Sequence, residues 1–256
     1  MIGLKSLKNK KIVITGGCGY LGSSMVKHLI SNDSSVLVIG TSWEKFNDVF
    51  KKEIGENKDI NFVKSDLSEE TQLCEKVSNV FENVDCLINN AYYGTSGHPL
   101  KMSNEDWRKG LEGTVDIYYR CIRDLISIMN AESSIINISS MYGMVIPKFD
   151  IYESLDCVNP ISYGVGKAGV IHMTKYLANL LAKKSIRVNS VSPGAFPNES
   201  AQENKEFVTS LEELIPLSRI GKPEDLNGII SLLCSDESSY ITGQNFAIDG
   251  GFTNLK

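Results

Sequence analysis

The feature that most constrains the fold is a repeat of short apolar runs, each separated from the next by a longer stretch of helical pattern. The first run is Lys11-Ile12-Val13-Ile14-Thr15, and further runs fall at 36–39, 60–64, 85–88, 134–138, 186–191 and 246–248. Runs this short and this apolar read as strands buried on both faces. Such strands need helices on each side, which implies a parallel sheet. Two long amphipathic helices are predicted between them. One spans 104–130, with Trp107, Leu111, Val115, Tyr118, Ile122 and Leu125 at helical spacing; the other spans 160–183, with Pro160 as its start signal. No linker, internal repeat or low-complexity segment divides the chain. The expectation is an α/β fold: one domain over 1–256, built on a single doubly wound parallel sheet with helices on both faces.

Bulk properties narrow the partners. A net charge of -5 over 256 residues gives no electrostatic reason to expect nucleic acid or an anionic membrane surface. No apolar run approaches the roughly 20 residues that span a bilayer. The basic start leads directly into a strand and a glycine turn, without the apolar stretch of a signal peptide. Cytoplasmic localisation is expected. The six cysteines include no C-x-x-C and the three histidines show no ligand spacing, so reduced buried thiols and no metal are expected.

Thr15-Gly16-Gly17-Cys18-Gly19-Tyr20-Leu21-Gly22 directly follows the first strand and opens a helix. Glycine there permits a tight turn and close approach of backbone to a pyrophosphate, while the helix N-terminus supplies free N–H groups. A nicotinamide dinucleotide is the expected ligand. At the end of the second strand, Ile39-Gly40-Thr41-Ser42 lacks the acidic residue that would bind a ribose 2′-hydroxyl and repel a 2′-phosphate. Thr41 and Ser42 could donate to a phosphate, and Lys45 is near in sequence. NADP(H) is therefore favoured over NAD(H).

Tyr163-Gly164-Val165-Gly166-Lys167 places a phenol and an ammonium at i and i+4 on one helix face. The cation is expected to lower the phenol pKa, making Tyr163 a candidate general acid for carbonyl reduction and base for alcohol oxidation. Ser139-Ser140 ends the fifth strand, where doubly wound sheets bind ligands. A hydroxyl there can hold a substrate oxygen beside the tyrosine.

With these motifs in order, the chain resembles the short-chain dehydrogenase/reductase family, with its Rossmann-like fold, along essentially its whole length. Residues 15–22 resemble the cofactor turn, which implies contacts from Gly16, Cys18, Gly19, Tyr20 and Leu21. Asp66-Leu67 resembles the position beside adenine. Asn89-Asn90-Ala91 resembles the motif after the fourth strand, with Asn90 and Ala91 against the cofactor. Ser140, Tyr163 and Lys167 match the family's catalytic residues, Lys167 also binding the nicotinamide ribose. Ser192-Pro193-Gly194 resembles the nicotinamide-side loop, which runs on to Phe196. The resemblance implies hydride exchange between nicotinamide and a substrate carbon, and a homo-oligomer, tetramer or dimer.

The pattern departs from the family in four places. The glycine spacing T-G-x-x-G-x-x-G is more typical of extended, sugar-nucleotide-modifying members. Tyr92 follows Asn-Asn-Ala where glycine is usual, so Tyr92 or Tyr93 would line or crowd the substrate side. The family's asparagine after Trp107 is missing; its place falls near Thr114, and Thr114, Asp116 or the backbone would have to substitute. The span from Ser140 to Tyr163 is long, and its extra segment, 147–156, is expected near the active-site mouth, where loops select substrate. That segment carries two aromatics and three acids, and residues 141–153 resemble members from bacterial surface-carbohydrate and flagellin-glycan synthesis. A sugar-derived substrate is the leading expectation. Reduction of a 3-oxoacyl thioester is the enzymatic alternative, with Arg120 and Arg123 as part of a rim for an acidic carrier. A non-catalytic NADP(H)-binding sensor is the alternative of another class. Residues 197–217 are expected to form a mobile lid.

Overall fold

The computed structural model describes residues 7–254 except 57, 70 and 96. Strands and helices alternate from the start: Lys11–Thr15 (β1), Tyr20–Ser31 (α1), Ser35–Gly40 (β2), Trp43–Val49 (α2), Lys51–Gly55 (α3), Ile60–Lys64 (β3), Leu73–Ser78 (α4) and Val84–Asn89 (β4). Asn104–Leu111 (α5), Ile117–Leu125 (α6), Met129–Ile138 (β5), Ile161–Leu181 (α7) and Arg187–Pro193 (β6) follow. The chain ends through Glu199–Gln202 (α8), Lys205–Glu213 (α9), Asn227–Cys234 (α10) and Asn245–Ile248 (β7). The strands make one sheet in the order β3-β2-β1-β4-β5-β6-β7. Every neighbouring pair is parallel.

Alternation along each strand feeds two apolar layers. Ile12 and Ile14 pack with Met25 and Leu29 of α1 and with Ile230 and Leu233 of α10. Val13 points the other way, into a layer holding Leu125 of α6 and Leu177 and Leu181 of α7. Because both faces are covered, the strands read as continuous apolar runs rather than alternating ones. One polar seam crosses the second layer: Asn89 Nδ2 donates to Asn137 Oδ1 (2.9 Å), and Asn137 Nδ2 donates to Thr174 Oγ1 (2.9 Å).

The helix expected over 104–130 is corrected in two ways. It is interrupted at Glu112–Asp116 by a wider π-helical turn. Within that turn Thr114 Oγ1 donates to Gly110 O (2.8 Å), and a Cβ on Gly113 would lie 1.8 Å from Tyr93 O. The helix also stops at Leu125, because Val84 of β4 takes the next residues into the sheet: Val84 N donates to Ile128 O (2.9 Å) and Val84 pairs with Met129. β5 is correspondingly longer than the predicted 134–138, with a register shift between Val84 and Cys86.

Candidate active site

Strand order reverses between β1 and β4, and this is where the carboxyl ends of a doubly wound sheet leave a crevice. The turn after β1 shapes its floor. Gly16 has φ +66°, and a Cβ there would meet Ala91 Cα at 2.8 Å. A Cβ on Gly22 would stand 2.4 Å from Gly16 O, so the first turn of α1 can settle on the loop only with glycine at that place. Gly19, the N-cap of α1, supplies no side-chain cap, which leaves first-turn N–H groups for a ligand. Thr15 Oγ1 accepts from Asn90 N and Ala91 N (3.0 Å each), and Asn90 Nδ2 donates to Gly16 O (3.1 Å). These bonds lock the ends of β1 and β4 together.

Above this floor lies a cavity of about 1190 Å³. Its lining includes Gly16, Cys18, Gly19, Tyr20 and Leu21 from the turn, Thr41 and Ser42 after β2, Asp66 and Leu67 after β3, and Asn90 and Ala91 after β4. Ser140, Tyr163, Lys167, Pro193, Gly194 and Phe196 line it as well. All the predicted site residues are thus brought to one cavity at the carboxyl ends of the strands. The residues fit a dinucleotide cofactor: glycine where backbone must approach closely, uncapped N–H groups at α1, and Gly194, where a Cβ would lie 2.5 Å from Asp249 Cα. Ser42 accepts from Lys45 N (3.1 Å) and donates to Glu44 (2.7 Å), so its hydroxyl is engaged as the cap of α2. Lys45 lines the cavity beside it. Asp66 accepts from the Ser68 hydroxyl and backbone, which hold its carboxyl below the usual range.

The expected effect of Lys167 on Tyr163 is corrected by the geometry. Burial raises the Tyr163 phenol, and the opposing influence is the Ser140 hydroxyl rather than the lysine. Lys167 Nζ donates instead to Ile138 O (2.7 Å) and to the Tyr118 hydroxyl (3.2 Å). Burial pulls the Lys167 ammonium down to about 7. Thr114 spends its hydroxyl on Gly110 O and Leu111 O of its own helix, and Asp116 is exposed. Tyr118, fully buried at 0% exposure, is the residue that sequence reasoning missed. It stood in the apolar stripe of its helix, where its hydroxyl gave no separate signal.

Tyr92 lines the cavity, its ring 5.0 Å from that of Tyr163 and nearly perpendicular to it. Segment 147–156 contributes no residue to the cavity lining. Its Tyr152 turns inward, with its hydroxyl 2.8 Å from that of Tyr142 and its ring 5.4 Å from Phe207 of α9. Tyr142 in turn is raised by burial and by the phenols of Tyr152 and Tyr163. Residues 197–217 hold α8 and α9, whose Leu211, with Ile215 just beyond them, packs on Met141 and Phe252. Asn204 donates to Glu153 (3.2 Å) and Gln202 to the Tyr20 hydroxyl (3.1 Å). This segment therefore bridges the insertion and the glycine turn.

Residues 21–253 match the family model described as Enoyl-(Acyl carrier protein) reductase. The chain belongs to the short-chain dehydrogenase/reductase family. It is 30% identical to a 3-oxoacyl-(acyl-carrier-protein) reductase FabG of Chlamydia pneumoniae, over 97% of this chain and 98% of that protein. It is 28% identical to a 7alpha-hydroxysteroid dehydrogenase of Bacteroides fragilis, over 98% and 96% respectively. Among solved structures, a short-chain dehydrogenase of Leptospira borgpetersenii with bound NAD+ superposes with a TM-score of 0.81 at 28% identity, covering 96% of this chain and 93% of that one. The protein is accordingly an oxidoreductase of this family, acting on CH–OH groups with a nicotinamide cofactor.

Proposed function

We propose that this single-domain enzyme interconverts a carbonyl and a secondary alcohol on a sugar-derived substrate in the cytoplasm. The observation that carries the reading is the placement of the Ser140 and Tyr163 hydroxyls on one cavity wall, above the sheet's switch point, with Lys167 buried behind them. The bound nicotinamide would supply or accept the hydride at the substrate carbon. Tyr163 gives its proton to the carbonyl oxygen in reduction and takes it back in oxidation. Ser140 donates a hydrogen bond to the same oxygen and keeps it beside the phenol. The turn residues Gly16 to Leu21 would hold the pyrophosphate, Asp66 and Leu67 the adenine end, and Pro193, Gly194 and Phe196 the nicotinamide end.

For the substrate, Tyr92 and Tyr93 line the cavity and offer ring faces suited to a polyhydroxylated ligand. An acidic carrier protein would seek cations at the rim: Arg120 is paired with Glu112 (3.1 Å) and Arg123 with Asp124 (2.8 Å), whereas the exposed Arg108 and Lys109 line the cavity. The second reading, reduction of a 3-oxoacyl thioester, is favoured by the name of the Chlamydia relative. We assign NADP(H) as the preferred cofactor, on Lys45 and Thr41, which line the cavity after β2 where no acidic residue would repel a 2′-phosphate. Exposed Tyr119 of α6 and Tyr176 and Leu180 of α7 support a homo-oligomer, dimer or tetramer.

The test is a cofactor-linked absorbance screen against sugar phosphates, nucleotide sugars and acyl thioesters, with Tyr163→Phe as blank. Turnover confined to sugars, lost by about 10²-fold or more in Tyr163→Phe with cofactor still bound, is the expected result. Turnover confined to thioesters would select the second reading. Cofactor binding without hydride transfer to any carbonyl would instead support a sensor. NADPH should bind more tightly than NADH; the reverse order overturns the cofactor assignment.

A further inference from the structure

Lys167 holds a buried cation, only 3% exposed, in a place where no carboxylate contributes to its ionisation. An ammonium has three N–H donors. One goes to Ile138 O at 2.7 Å and a second to the Tyr118 hydroxyl at 3.2 Å. Tyr118 donates its own proton to Ile138 O (3.0 Å), so its lone pairs are the part left to face the lysine. The three groups close a triangle in which each hydrogen bond fixes the direction of the next. The backbone of Lys167 is tied to the same strand end, because Ser139 Oγ donates to Lys167 O (2.8 Å). One N–H of the ammonium remains to face the cavity. Three rings surround it: Tyr118 at 4.9 Å, Tyr163 at 5.7 Å and Tyr92 at 5.9 Å from Nζ to the ring centres. The ring faces offset part of the cost of a desolvated cation.

We propose that Tyr118 is a positioning residue for the reaction, whose hydroxyl aims the amino group of Lys167 at the cavity. The groups facing the ammonium are Tyr118 from α6, Tyr163 from its own helix, Tyr92 from the loop after β4, and the Ile138 carbonyl at the end of β5. Of these, the Tyr118 hydroxyl is the side-chain group that accepts from Nζ. Burial lowers the Lys167 pKa, and an acceptor for the charged form opposes that. Removing the hydroxyl leaves Nζ with one anchor and a less favourable ammonium. The inference rests on the reading of Tyr163 as proton donor, and one of its tests needs no turnover.

The variant is Tyr118→Phe, which keeps the ring and removes the oxygen. In full-length protein labelled with 13Cε-lysine, with Lys167→Met used to assign the signal, the titration midpoint of Lys167 should fall by about one pH unit. That corresponds to one hydrogen bond to a charged group. In carbonyl reduction, with the best substrate of the screen above, kcat should fall about tenfold at little change in KM, and the alkaline limb should move to lower pH. A merely structural role would lower thermal stability and leave both the midpoint and the limb in place; that result overturns the proposal. If Tyr118→Phe does not accumulate as folded protein, Tyr118→Met, which also lacks the oxygen, decides: a lowered midpoint supports the proposal and an unmoved one overturns it. Retained turnover in Tyr163→Phe would overturn the underlying reading, whereas an inactive Tyr163→Phe beside an unaltered Tyr118→Phe overturns this inference alone.

Discussion

Lys167 shows at single-residue scale how function is set against stability. Its folded-state pKa is about 7, against the usual 10.5. Between these values the unfolded chain binds the extra proton, so stability rises with pH across the window and is lost as pH falls toward 7. Lys167→Met removes the group and hence its share of that slope. We expect the Met variant to unfold at a higher temperature than the wild type at neutral pH, the difference shrinking toward about pH 10, and to have lost turnover. Thermal unfolding of both proteins across that range is the check, and parallel curves would show that Lys167 carries no such penalty. The spacing of Tyr163 and Lys167 was legible because it is a property of one helix. The direction of the ammonium was not, since Ile138 and Tyr118 come from other elements.

At the scale of elements, the β1 turn and α1 form a unit whose geometry depends on two glycines. Gly22 lets the helix rest on Gly16 O, and the added methyl of Gly22→Ala would lie 2.4 Å from that oxygen and 2.9 Å from Gly17 Cα. Both neighbours are backbone, so the loop must shift. The expected loss is about 1–3 kcal/mol of stability, read by denaturant unfolding, with weaker cofactor binding. Gly228→Ala is the control: this exposed glycine of α10 meets nothing within 4 Å, and the change should stabilise by about 0.5–1 kcal/mol. The same scale explains the misplaced helix end. Periodicity over 104–130 continues smoothly, yet the pairing of Met129 with Val84 draws the chain into β5. Tertiary pairing overrides local pattern there. The π turn at Glu112–Asp116 escaped notice for a similar reason: Gly113 lies against Tyr93, which follows β4.

Over the whole molecule, the sheet divides the cysteines by depth. Cys86, Cys121 and Cys234 are buried, and Cys157 is exposed in the segment before α7. The thiols of Cys86 and Cys234 lie 3.4 Å apart in the core, and burial raises Cys234 well above the usual thiol range. A thiol reagent at neutral pH should therefore modify Cys157 first. Cys86 and Cys234 should react only at the rate of global opening, measurable by mass spectrometry with and without denaturant. Rapid labelling of Cys234 in native protein would contradict the packing of α10 on the sheet.

The α/β class, the seven strands, the glycine turn after β1 and the neighbourhood of Tyr163 and Lys167 were legible along the chain. Each of these is encoded in residues close along the chain, through strand-length apolar runs, glycine spacing or helical repeat. Three contacts depend on the packed layers: Tyr118 meets Lys167, Arg120 is taken up by Glu112, and the insertion packs on α9 through Tyr152 and Phe207 rather than into the cavity. These are contacts between side chains on separately folded elements, or across the π turn that rotates one stretch of helix relative to the next. Their partners are fixed by how the layers pack, which no local pattern records.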